Sequence, residues 1–370
     1  MTVRVSKPKF NLREKLSELD KPSGIKGSEL LKSNTIQEAR DLIGAGRKNL
    51  IINGNFDVWQ RGTSFSSLNS MQYTADRWLQ YAAGSSTVTA TQQPFTVGQT
   101  EVPGNPKYYY RMDNTPDPNT AWLELFYRIE DVRRFSDVPV TLSFWLRTNK
   151  FQSGEDEIRI TQNFGTSGNG ASSAVTLRSP IFDVQTYWKK YELTFDLPSV
   201  AGKTIVDNSF LQIHLLRATN AVAADTYYDL AQFQLEYGRA ATTFEQRSLG
   251  EELHLCKRYY QQIGPASSSA MVMTGAGNGT GRIRGMHQLI PEMRVAPTVT
   301  HDTSSEDPTF YAYKSGPPSY SSVNGFTSTS KVFHWDFNTG THNQAGFAFD
   351  VKGSGARVQI DAELPSTYSP

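Results

Sequence analysis

Between positions 138 and 147 the chain alternates strictly. Val140, Leu142, Phe144 and Leu146 fall on one face, and Thr141, Ser143, Trp145 and Arg147 on the other. A period of two is the repeat of an extended strand whose faces meet different surroundings. The same habit recurs at 157–161, 188–195, 210–216 and 228–236, with polar turn clusters such as 165–173 between the runs. No long helical pattern intervenes, so nothing supplies the crossover that a parallel sheet needs. Such a chain is expected to close into an antiparallel jelly-roll β-sandwich, mainly β in class. Its 20 Phe, 17 Tyr, 28 Gly and 18 Pro suit many short strands joined by turns.

Residues 1–48 differ from the rest, with 11 Lys and Arg against 6 Asp and Glu and neither Trp nor Tyr. Leu12, Leu16 and Leu19 make one stripe of a short helix capped by Asn11 and ended by Pro22. A second helix is expected over 35–43. Thr35 and Glu38 have capping-box spacing there, Ile36 and Ile43 share a face, and Gly44 sits at the stop. Helices this short are marginal alone, so the stripes read as docking surfaces for another chain, against the plainer reading of a disordered basic tail. Residues 49–247 form the main β domain, with 50–59 expected as its first strand. Residues 238–250 read as a linker and 251–262 as a helix. The stretch 248–370 thus begins with a helix and continues as a smaller β domain.

Several classes are set aside by charge and composition. The chain has 37 basic and 36 acidic residues, which predicts no general affinity for nucleic acid or anionic membrane. No apolar run approaches the ~20 residues of a membrane helix, and the N-terminus lacks the apolar core of a secretory signal. The single cysteine, Cys256, cannot form an internal disulfide and reads as a packed core thiol. The six histidines are scattered, and no Gly-x-Ser-x-Gly elbow occurs. The glycine-rich stretch 275–281 lacks the Gly-Lys-Ser/Thr ending of a phosphate loop and reads as a hairpin tip. The expectation is a protein that is not an enzyme.

Three passages carry a resemblance. The first is Asn49-Leu-Ile-Ile-Asn-Gly-Asn-Phe-Asp-Val-Trp-Gln-Arg-Gly62 with Ala75-Asp-Arg-Trp78. The second is Leu235-Glu-Tyr-Gly-Arg-Ala-Ala-Thr-Thr-Phe-Glu-Gln-Arg247 running into Glu251-Glu-Leu-His-Leu-Cys-Lys-Arg-Tyr-Tyr260, and the third is Met293-Arg-Val-Ala-Pro-Thr-Val-Thr300. Over about 35–300 the chain resembles bacteriophage tail-fibre and virion structural proteins with a jelly roll of the carbohydrate-binding-module type. The resemblance implies a virion protein assembled in the host bacterial cytoplasm. It would dock to phage tail or head proteins by its N-terminus, as a homotrimer, and recognise a bacterial surface polysaccharide. Jelly rolls of that type often hold a structural calcium where first and last strands meet. The matching positions here are Asp57 and Asp229, although Asp57 stands where the pattern has Glu. No other cofactor is implied.

A sugar's apolar face stacks on exposed aromatic rings while polar side chains bind its hydroxyls. Trp122, Trp145 and the run Tyr108, Tyr109, Tyr110 are the candidates. The run follows a Pro-Gly-Asn-Pro turn, and Trp145 lies on the polar face of its strand. Two other readings remain open. A structural decoration subunit would bury these rings between copies. A polysaccharide depolymerase would need two close carboxylates, which 155–157 alone do not establish.

Overall fold

The computed structural model describes residues 48–68, 70–83, 88–114, 122–165, 170–217, 225–263, 270–277, 282–301, 310–313, 322–338, 345–351 and 358–364. The two leader helices, with Leu12, Leu16, Leu19, Ile36 and Ile43, lie outside these residues. Thirteen strands precede the described helix: β1 Ser64–Leu68, β2 Gln72–Tyr73, β3 Trp78–Ala83, β4 Val88–Pro94, β5 Tyr108–Asn114, β6 Trp122–Glu130, β7 Val138–Thr148, β8 Gln152–Asn163, β9 Val175–Arg178, β10 Phe182–Val184, β11 Lys189–Leu197, β12 Phe210–Arg217 and β13 Tyr227–Tyr237. They build two sheets, β1-β4-β5-β13-β7-β11 and β10-β8-β12-β6-β3-β2 with β9 beside β8. Every described pairing is antiparallel, as in β7 with β11 and β12 with β8. The jelly-roll sandwich follows from the alternation. Val140, Leu142, Phe144 and Leu146 enter the core between the sheets, where they join Ile158, Ile160, Ile213, Leu230 and Phe233.

The passage 50–59 is not the first strand that its apolar residues suggested. It is a turn-rich clasp, because its asparagines bind backbone that a ladder would otherwise pair. Asn53 and Phe56 take positive φ. Asn53 donates to the carbonyls of Val58 and Asp76 at 2.8 and 3.0 Å, and accepts from Val58 N at 2.9 Å. Asn49 donates to Phe233 O at 3.1 Å and accepts from Leu235 N at 3.2 Å, tying the clasp to β13. A Cβ on Gly54 would run into the Phe233 carbonyl. The expected linker is part of the same knot. Glu245 accepts from the amides of Lys48 and Asn49 at 2.8 and 2.6 Å, and Arg247 donates to Ile51 O at 2.9 Å. Two of the passages behind the resemblance therefore meet in space as a structural closure.

The helix α1, Leu249–Lys257, is capped by Ser248, whose hydroxyl accepts from Glu251 N at 3.3 Å. It buries Cys256, as a core thiol should be. It ends five residues earlier than its pattern predicted, because β14 (Tyr260–Ile263) pairs with the last described strand. The later strands are β15 Ala270–Gly277, β16 Arg282–Gln288, β17 Thr298–His301, β18 Phe310–Tyr313, β19 Ser322–Ser328, β20 Val332–Asn338, β21 Ala345–Val351 and β22 Val358–Asp361. They form the sheets β14-β22-β17 and β18-β21-β15-β16-β20-β19.

An ionic seam joins these later elements to the sandwich. Arg77 pairs with Glu363, and Arg61 approaches Asp361 at 3.1 Å and Glu363 at 3.6 Å. The Arg77 guanidinium lies 3.5 Å from the Tyr259 ring centre, and that of Arg61 lies 3.6 Å from Tyr260. Tyr73 adds a hydroxyl bond to Leu364 O at 3.0 Å.

Candidate functional site

One face of the β1-β4-β5-β13-β7-β11 sheet is spent on the core. Strand register lays the outer face out in rows. One row runs Thr91, Arg111, Asp229, Arg147 across β4, β5, β13 and β7. Beside it stand Gln93 and Tyr109, then Ala231, Trp145 and Lys190. On its far side Asp113 faces Tyr227.

Asp229 anchors the row. Its carboxylate is fully buried, and a buried charge must be paired. Arg111 donates to it from Nε at 2.7 Å and Nη2 at 2.9 Å, a forked pair, and Arg147 donates Nε at 2.9 Å. Both arginines stay partly open, with side chains 22% and 26% exposed. Arg111 lies 3.8 Å from the Tyr227 ring centre and Arg147 4.8 Å from that of Trp188. Burial works against the charge on Arg111, but the Asp229 carboxylate outweighs it and holds the pKa above the ordinary arginine value. Two guanidiniums share one carboxylate, so the row itself carries a net positive charge.

Beside the row an aromatic group covers the sheet. Phe95, Tyr109 and Trp188 contact one another at ring separations of 4.8, 5.3 and 5.5 Å. Val102 and Ala231 complete the cluster, and half-buried Trp145 packs against it. Burial, and then Asp229, raise the Tyr109 pKa against the pull of Arg111 and Arg147.

The predicted aromatic residues are scattered by strand parity. Trp145 is on the outer face with ring surface still accessible. Tyr109 is on the same face but only 8% exposed, beneath Phe95 and Trp188. Tyr110 points the other way into the core and offers a ligand nothing. It stacks on Trp59 at 5.2 Å, and its hydroxyl bonds Thr74 at 2.7 Å and donates to Gln80 at 3.2 Å. Tyr108 is half-buried where β5 begins, with Lys107 Nζ 4.8 Å from its ring centre. Trp122 opens β6 in the opposite sheet, and its side chain lies outside the described residues. Sequence reasoning missed Arg111, Arg147, Tyr227, Phe95 and Trp188 as a group. The available signal was that Trp145 and Arg147 share the polar face of one strand.

The two proposed calcium ligands are set in different surroundings. Asp229 is occupied by the two arginines, which a cation would have to displace. Asp57 accepts from Asn55 Nδ2 at 3.0 Å, and burial raises its pKa against that bond and the charge of Lys107. Among the described residues no group of three His, Cys, Asp or Glu side chains could hold a metal. A calcium reaching Asp229 would have to displace Arg111 or Arg147 from it.

No family model matches the chain, and no curated protein matches it. Among solved structures it is similar to the enzymatically active domain of bacteriophage CBA120 tailspike protein 4, at 12% identity and a TM-score of 0.31 over 51% of this chain and 21% of that one. It is also similar to a family 11 carbohydrate-binding module of a Clostridium thermocellum cellulosomal cellulase, at 13% identity and a TM-score of 0.28 over 48% of this chain and 100% of that one. A third similarity is to the CBM22-1 xylan-binding domain from Paenibacillus barcinonensis, at 15% identity and a TM-score of 0.27 over 48% of this chain and 95% of that one. The chain thus spans about a fifth of the tailspike domain's length.

Proposed function

We propose that this chain is a non-catalytic adhesion protein that binds carbohydrate on the outer face of the β5-β13-β7 strands. The observation that carries the reading is the combination on one sheet face of half-open Trp145, the Phe95–Tyr109–Trp188 cluster and two partly exposed arginines held by Asp229. Rigid aromatic surface beside fixed donors is what a sugar ring needs. The sequence resemblance to phage virion proteins supports placing the protein on a virus particle, docked through residues 1–48 and assembled as a homotrimer. Three weak sites would then act together through avidity.

The test is binding of the full-length chain to intact host cells and to a glycan array, with its mass in solution measured alongside. Saturable binding by a trimer, lost about tenfold or more in Trp145→Ala at an unchanged fold, is the expected result. A folded trimer that binds no glycan would replace this reading with that of a decoration subunit. Leu16→Asp should in turn block incorporation into particles without altering glycan binding.

A further inference from the structure

Resting on the carbohydrate reading, we infer that the ligand of this face is an anionic glycan, whose oxyanion is taken by Arg147 and Arg111 while its ring lies against Trp145. A neutral sugar asks for mixed donors and acceptors. The row Arg111–Asp229–Arg147 instead presents donors, because its one acceptor is spent: Asp229 is fully buried and accepts three guanidinium bonds. Both arginines are braced by aromatic rings, Arg111 by Tyr227 and Arg147 by Trp188, so little freedom is lost when they bind. Guanidinium forks match carboxylate and phosphate oxygens.

The surrounding charges place the anion. Asp113, two residues along β5 from Arg111, and Asp225 before β13 make the Tyr227 side acidic. On the other side Lys190 stands opposite Trp145 in register, its charge shared with Glu192 at 2.6 Å. The positive end of the face is therefore the Arg147–Trp145–Lys190 corner. Arg111 starts two strands away, about 10 Å at the backbone, but its guanidinium closes on the same Asp229 carboxylate as that of Arg147 and so reaches the same anion.

The experiment uses the full-length protein and three probes. These are a galacturonic acid oligosaccharide, the same oligosaccharide after reduction of its carboxyls, and a phosphodiester-linked glycan. Titration calorimetry at low and high salt gives the affinities. The expected result is binding to at least one anionic probe about tenfold or more tighter than to the reduced one, weakened by salt. Arg147→Gln should abolish that preference, bringing the affinities for the charged and reduced probes to within about twofold of each other. Which anionic arm binds separates a uronate from a phosphate source. Equal affinity for charged and reduced probes would overturn the inference and leave the carbohydrate reading standing. Binding to neither, with binding to other sugars on the array, would also overturn it. A preference that survives in Arg147→Gln and in Arg111→Gln would put the anion elsewhere and refute the assignment. No glycan binding at all would remove both.

Discussion

The seam between the sandwich and the later strands and the outer face of the β5-β13-β7 strands are built from the same parts. Each has two arginines, aromatic rings under the guanidiniums and buried carboxylate. They differ in how much is enclosed. In the seam Arg77 is 1% exposed and its partner Glu363 3%, and Arg77 also donates to Arg128 O at 2.5 Å. On the outer face the carboxylate is as deeply buried, but the arginines keep about a quarter of their surface. Enclosure turns the first constellation into a joint. Partial exposure leaves the second able to bind something else. The lesson is that arginine–carboxylate–tyrosine clusters are not functional by composition. What matters is whether charge remains accessible after the protein's own partners are satisfied.

The sharpest way to break this contrast is Glu363→Ala. It leaves the buried Arg77 guanidinium without its carboxylate, while Arg61 keeps Asp361, and should cost about 3–5 kcal/mol in denaturant unfolding. A loss below about 1 kcal/mol would mean that water reaches the seam and the two regions are alike. Acidity next probes the edge of the seam, where the Asp76 carboxylate accepts from Gln60 N at 2.8 Å near Arg61. Burial pushes the Asp76 carboxyl up to about 6, against the pull of Arg61 and its bonds from Gln60. Its folded pKa lies above the unfolded value, so its ionisation weakens the fold. That penalty is absent below about pH 4, and grows to roughly 3 kcal/mol as the pH rises past about 6. Wild type minus Asp76→Asn, melted across that range, should show the difference. A flat difference would remove Asp76 from the seam's energetics.

On the outer face, Asp229→Ala should cost less, about 2–3 kcal/mol, because the freed arginines can turn to water. It should also abolish glycan binding, and retained affinity would show that arginine placement is irrelevant there. The smallest effect on stability is expected from Trp145→Ala, about 1–2 kcal/mol, since its ring is only half enclosed. Its main readout is lost affinity. A variant that melts like a core aromatic deletion but binds normally would reverse the roles assigned here.

The alternation of β7 made its inward face readable residue by residue, and β11 and β12 keep the same parity, whereas in β13 a bulge between Ala231 and Gln234 switches the inward residues from Tyr228 and Leu230 to Phe233 and Leu235. The parity of β5 was equally present in the sequence, since Tyr109, Arg111 and Asp113 must share a side opposite Tyr108 and Tyr110. Which side met the core was not, because both sides of that strand carry aromatic rings. The clasp at 50–59 misled for a related reason. Its apolar residues resemble a strand, but Asn49 spends its amide on Phe233 O, 184 positions away, and Asn53 spends its own on Val58 O and Asp76 O. Local propensity could not weigh that tertiary bond.

Chain periodicity by itself determined the antiparallel β class, the core-facing positions of β7 and the existence of α1, because each depends on residues a few positions apart; the Ser248 cap fell in what read as linker. Only the tertiary structure decided that Arg111 meets Asp229 across 118 positions and Arg147 meets it across 82. It likewise decided that Arg61 and Arg77 belong to a joint with Asp361 and Glu363. The physical reason is that strand register and burial depend on the packing of the whole sandwich. Until that is in place, a guanidinium has a charge and a reach, but no partner.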